Sequence, residues 1–140
     1  PEERAIKSGA TMIRDDSAFR ELGGTLESIN VGYAEVRLEI KEKHTNGHGI
    51  CHGGVIFTLA DATFGFACNS YNRKTVAQIC TITYISPVRQ KDILASEARE
   101  IKKFGRSGIY DVTIKNQNRD LVAIFRGHSR EVEDNLFDEK

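Results

Sequence analysis

Residues 46 to 61, Asn-Gly-His-Gly-Ile-Cys-His-Gly-Gly-Val-Ile-Phe-Thr-Leu-Ala-Asp, run from a polar loop through a glycine pair into an apolar stretch that carries one carboxylate. That carboxylate, Asp61, is the only charge between Val55 and Cys68. An unpaired charge inside an apolar helix costs several kcal/mol, on the order of other buried-ion penalties. A carboxylate held there acts as a nucleophile or as a general base for water, and desolvation by Phe57, Leu59 and Phe64 is expected to raise its pKa. Its bland role would be a loop cap or an ion pair between subunits.

Gly53 and Gly54 open the apolar stretch, which puts the Gly53 N–H at a helix start, where it can donate to a developing oxyanion with the helix dipole behind it. Lacking a Cβ, both glycines let an acyl carbonyl approach the main chain, although a tight turn asks for the same residues. Asn46 has an amide able to hold water on one side and a carboxylate on the other. Asn-Gly is equally a turn dipeptide. His52 is expected to fix the loop through its ring nitrogens rather than to carry protons.

The elements that must position these groups follow from pattern. Ile6, Ala10 and Ile13 recur at helical spacing, which predicts a flanking helix over residues 1 to 16. Two alternating stretches, Thr25 to Asn30 and Tyr33 to Ile40, flank Val31-Gly32 and read as an antiparallel hairpin. Residues 41 to 52 are polar, and residues 53 to 70 are apolar nearly all round, as suits a helix enclosed by other structure. Strands are predicted over Thr75 to Ser86, Ile93 to Lys103, Ser107 to Asn116 and Leu121 to Glu133, separated by turn residues. About six strands around one buried helix make an α+β fold.

Composition narrows the function classes. The 140 residues suit one domain with a core of its own. Twenty basic residues balance twenty acidic ones, so bulk charge argues for no nucleic-acid surface. The longest apolar run is shorter than the roughly 20 residues that cross a bilayer, and no leader pattern opens the chain. We expect a cytoplasmic protein that acts on a small molecule, with Cys51, Cys68 and Cys80 reduced.

Taken together, Asn46-Gly47-His48, Cys51-His52-Gly53-Gly54, Leu59-Ala60-Asp61, Ala67-Cys68-Asn69-Ser70, Cys80-Thr81-Ile82 and Phe125-Arg126-Gly127 resemble the hotdog-fold acyl-CoA thioesterases of the PaaI type, associated with phenylacetate catabolism. The resemblance covers residues 17 to 131 in the right order of elements. It implies a single hotdog domain that hydrolyses aryl-acetyl-CoA to the free acid and coenzyme A without metal or other cofactor. It also implies a homo-oligomer, a dimer of dimers, in which Asn46, His52 and Gly53 of one protomer meet the partner's Asp61. Phe57, Phe64 and Tyr84 would line the acyl pocket beside Gly54. Arg89, Lys91, Lys102, Lys103 and Arg106 are candidates for the coenzyme A phosphates, against the plain role of solvated surface charge. One departure is Ala77, which stands where some relatives carry a hydroxyl that holds water.

Rival readings come from other classes. His44, His48, Cys51 and His52 are competent zinc ligands crowded on one loop, but their spacing matches no familiar finger. A non-catalytic acyl-CoA sensor would share the fold, yet it has no use for Asp61, and residues 1 to 16 are too short for a helix-turn-helix output unit. A hydratase would want an Asp-and-His pair elsewhere on the scaffold. Cys51 as nucleophile is disfavoured because adjacent side chains on extended backbone point to opposite faces, away from His52.

Overall fold

The computed structural model describes residues 1–132 and 134–139. Helices α1 (Glu2–Asp15) and α2 (Ser17–Leu22) lead into β1 (Thr25–Asn30), β2 (Tyr33–Glu39), a 3₁₀ turn (Glu42–His44) and the long helix α3 (Gly53–Cys68). Four more strands follow: β3 (Thr75–Tyr84), β4 (Ile93–Phe104), β5 (Ser107–Lys115) and β6 (Leu121–Glu131). All six strands form one antiparallel sheet in the order β1-β2-β4-β5-β6-β3. The helix packs on one face of that sheet, which is the hotdog arrangement expected from the resemblance. Among the described residues, no helix is long and apolar enough to cross a membrane.

Alternation sets the inner face. On β2, Ala34, Val36 and Leu38 are buried while Arg37 and Glu39 face solvent, and on β5 Tyr110, Val112 and Ile114 point to the helix. Into this concave surface α3 sends Ile56, Leu59, Phe64 and Phe66, all buried. The Phe64 ring meets Tyr110 and Phe125 with centroids 5.7 and 5.8 Å apart. Buried Thr63 keeps its hydroxyl satisfied by a 2.7 Å bond to the Leu59 carbonyl and another of 2.7 Å shared with Ser96. Gly127 on β6 makes room for this packing, since a Cβ there would stand 2.7 Å from the Phe64 ring.

Two borders differ from the sequence reading for a clear local reason. Residues 17 to 22 form a helix too short to show a period, started by Asp16, whose carboxylate accepts the Phe19 N–H. The helix expected to reach residue 70 stops at Cys68. There the Asn69 side chain donates to the Gly65 and Thr75 carbonyls and accepts the Thr75 N–H, closing the helix and starting β3 with one amide. The last strand's expected end, Glu133, lies outside the described residues.

The edge strand β3 is unusual. It carries no charge from Thr75 to Tyr84, yet Val76, Ile79 and Tyr84 are 45, 55 and 50 % exposed. Edge strands are ordinarily blunted by charge or covered.

We expect Gly127→Ala to lower stability by about 1–3 kcal/mol, the usual cost of forcing a methyl into a packed core. The midpoint of urea unfolding measures it, and an unchanged midpoint would show that Phe64 has somewhere else to go.

Candidate active site

The start of α3 leaves one donor free. His52 caps the helix: its Nδ1 accepts the Gly54 N–H at 3.0 Å, and its carbonyl accepts from Val55 and Ile56. The Gly53 N–H has no acceptor among the described residues. The Tyr84 hydroxyl donates to the Gly53 carbonyl at 2.9 Å, and a Cβ at Gly53 would stand 3.3 Å from that ring. The preceding loop turns on Asn46, whose Oδ1 accepts the His48 N–H at 2.9 Å and the Ile50 N–H at 3.4 Å. With its oxygen committed, Asn46 keeps the amide NH₂ as a donor, and no protein partner for it occurs among the described residues. Asn46, Gly53, Ile56 and Tyr84 share the walls of a cleft of about 280 Å³.

A buried imidazole holds this loop. His44 Nδ1 accepts the Lys41 N–H at 2.9 Å, its Nε2 lies 2.9 Å from the Leu22 carbonyl, and its own carbonyl accepts the His52 N–H at 2.8 Å. Both ring nitrogens are thus committed to backbone, as is Nδ1 of His52. Among the described residues no three His, Cys, Asp or Glu side chains are placed to hold one metal ion. Cys51 is buried with its Sγ toward the His52 carbonyl, and burial, with Asp92 adding, pushes its thiol up to about 11. A thiolate there is unfavourable, so Cys51 is unsuited as a nucleophile.

Asp61 lies in a second cleft, of about 260 Å³, walled by Met12, Asp16, Phe64, Gly65, Phe66 and Ala77. It has no hydrogen-bond or ion-pair partner among the described residues. Burial chiefly, and the Asp16 carboxylate secondarily, raise its pKa above the ordinary carboxylate value. Phe57 and Leu59 do not supply that desolvation: Phe57 stacks edge-on against Phe125 at 5.5 Å, and Leu59 turns into the core. Met12, Asp16 and Phe66 were not singled out from sequence, although Asp16 before Ser-Ala-Phe is an N-cap pattern. The Gly53 and Asp61 clefts share no wall residue. Eight residues of helix put those two positions about 12 Å apart at 1.5 Å per residue.

The candidate phosphate contacts are also split. Arg89 bridges to Ile50 beside the Asn46 loop, next to Lys91 and the start of β4. Lys102, Lys103 and Arg106 sit at the other end of that strand, roughly 33 Å away by strand rise. Lys103 pairs with Glu131 at 3.0 Å over the Tyr71 ring, and Arg106 donates to the Glu131 carbonyl.

An oxyanion donor and a carboxylate are the parts of acyl transfer, and the model of the Thioesterase superfamily matches residues 48–123. The chain belongs to this superfamily. The thioesterase is 36% identical over 129 residues to the acyl-coenzyme A thioesterase PaaI of Escherichia coli, covering 92% of each chain. It superposes on the structure of the E. coli PaaI protein from the phenylacetic acid degradation operon with a TM-score of 0.94 at 34% identity, over 96% of this chain and 97% of that one. The structure of smu.793 from Streptococcus mutans bound to acetyl-CoA gives a TM-score of 0.77 at 27% identity, over 80% of this chain and 90% of the other. This chain is a thioester hydrolase.

Because the raised Asp61 pKa means that the folded thioesterase holds that proton more tightly than the unfolded chain, the group costs stability as pH rises from the ordinary carboxylate value through its folded pKa. Asp61→Asn is therefore expected to melt above the wild type at neutral pH, with the gap closing below the ordinary carboxylate range. Melting temperatures of both proteins across pH test this; a variant less stable at neutral pH would mean that the carboxylate has a stabilising partner.

Proposed function

We propose that this thioesterase hydrolyses aryl-acetyl-CoA, phenylacetyl or hydroxyphenylacetyl, to the free acid and coenzyme A. The observation that carries the reading is on α3, which presents an unengaged Gly53 N–H at its start and an unpaired, half-buried Asp61 in a separate cleft. The substrate class is supported by the E. coli relative, whose structure is described as that of a protein from the phenylacetic acid degradation operon. The Met12, Phe64, Phe66 and Val76 part of the Asp61 cleft wall suits an aryl group, with Asp16, Asn69 and Thr75 on its polar side.

The site is completed by a second copy. One chain holds donor and carboxylate in different clefts, whereas antiparallel pairing of two uncharged β3 edges would join the sheets and bring the Asn46 loop of one copy to the partner's Asp61. The Gly53 N–H and the helix dipole then stabilise the oxyanion on the thioester carbonyl. With water as nucleophile, Asp61 takes its proton, the tetrahedral intermediate collapses, and the proton passes to the departing coenzyme A thiolate. With Asp61 as nucleophile, a mixed anhydride forms and water cleaves it in a second step. Ala77 in the cleft wall offers no hydroxyl to hold water, so the Asn46 NH₂ takes that part. His52 positions the donor by capping Gly54, and Arg89, Lys103 and Arg106 are the cations available to the phosphates, from different copies.

Free-thiol release from phenylacetyl-, hydroxyphenylacetyl-, benzoyl- and aliphatic acyl-CoAs, with chelator present, tests the reading. Aryl-acetyl esters should turn over fastest, and Asp61→Asn should lose roughly 10²–10⁴-fold, the usual contribution of a general base. Rates should fall on the acid side through a pKa above the ordinary carboxylate range. Binding of every ester without thiol release would point instead to a sensor. Single turnover in H₂¹⁸O identifies attack by Asp61 when the first acid leaves unlabelled, water then having cleaved the anhydride at the Asp61 carbon and left the label in the protein.

A further inference from the structure

Met12, on α1, forms part of the wall of two spaces. One is the Asp61 cleft of about 260 Å³. The other is a groove of about 530 Å³ bounded by Thr11, Asp15, Ala18, Lys74 and Leu136. Asp16 also belongs to both walls, but its carboxylate is tied down as the cap of α2. Met12 has no such tie and is only half-buried. Its thioether methyl lies 3.6 Å from where a Gly65 Cβ would stand, and Gly65 is one turn beyond Asp61 on the same face of α3. Glycine inside a helix is disfavoured against alanine. A methyl at Gly65 would meet Met12 at an ordinary contact distance, so core packing does not require the glycine, and its absence of side chain keeps the cleft floor open beneath Met12.

We propose that Met12 is a specificity-determining residue, a displaceable partition between the Asp61 cleft and the groove behind it, through which acyl chains longer than an aryl-acetyl unit extend toward Ala18 and Leu136. Methionine suits such a place because its unbranched, three-bond side chain repacks without a polar cost. An aryl-acetyl group stops in front of the partition; a long aliphatic chain pushes the thioether aside. The inference rests on the reading that the acyl group occupies the Asp61 cleft.

The test compares kcat/KM for phenylacetyl-CoA and decanoyl-CoA in the wild type, Met12→Ala, Met12→Phe, Gly65→Ala and Asp61→Asn. Opening the partition in Met12→Ala should raise the decanoyl-to-phenylacetyl ratio about tenfold, the scale of one or two methylenes in an apolar pocket. Met12→Phe should lower the ratio by a similar factor. Gly65→Ala, a change that helices favour, should lower it as well with an equal or higher melting temperature, and serves if a Met12 variant does not fold. Ratios unchanged within about threefold in all three variants, or both esters slowing together as a merely structural residue would make them, overturn the partition. Turnover of both esters by Asp61→Asn near the wild-type rate would instead overturn Asp61 as the catalytic carboxylate and the placement of the acyl group beside it, and the partition with them.

Discussion

A helix of sixteen residues with almost no polar face persists only where other structure surrounds it, and the architecture of this chain answers that demand. The inner faces of β2, β4, β5 and β6 receive Leu59, Phe64 and Phe66, and Gly127 gives up its side chain so that the Phe64 ring can lie flush with the sheet. What the enclosure leaves uncovered is small: the first turn, where Gly53 keeps a free N–H, and the strip holding Asp61 and Gly65. Burial thus sets the position and the chemistry of the polar groups together, since the same apolar walls that desolvate Asp61 also raise its proton affinity.

The second support is His44. Its ring spans from the 3₁₀ turn to the end of α2, and its carbonyl holds His52 at the head of α3. The Asn46 loop and the end of α2, far apart in sequence, therefore hang from one imidazole. Asp16 extends the link: it stops α1, starts α2 and faces Asp61 across the cleft.

Much of the fold was legible because its signals are local. Val36 and Leu38 alternating with Arg37 and Glu39 give β2 its inner face without reference to the rest of the chain. Asp61 stood out because a charge in an apolar helix is costly, and Gly53 because a glycine pair at a helix start leaves a backbone donor open to a ligand, although a tight turn asks for the same residues. The short helix over residues 17 to 22 could not show a period, and Asn69's closure of α3 depends on meeting Thr75 across a turn. Nearness in sequence puts Phe57 and Leu59 beside Asp61, whereas helical geometry turns them toward Phe125 and the core. His44 stayed a competent zinc ligand by residue type, set aside only on spacing, because residue type cannot reveal that two backbone groups already occupy its nitrogens. The Met12 wall is equally non-local, since it needs the angle at which α1 crosses α3.

The placement of β3 bears on how the chain is made. Among the described residues its one neighbour in the sheet is β6, the last strand, with β4 and β5 intervening in sequence. During synthesis an uncharged strand therefore waits with both edges open until residues 121 to 131 emerge, a long-range pairing of the kind that folds slowly and exposes chains to aggregation. The hairpins β1–β2 and β4–β5 can meanwhile form locally. A chain cut short before Leu121 loses two strands, not one.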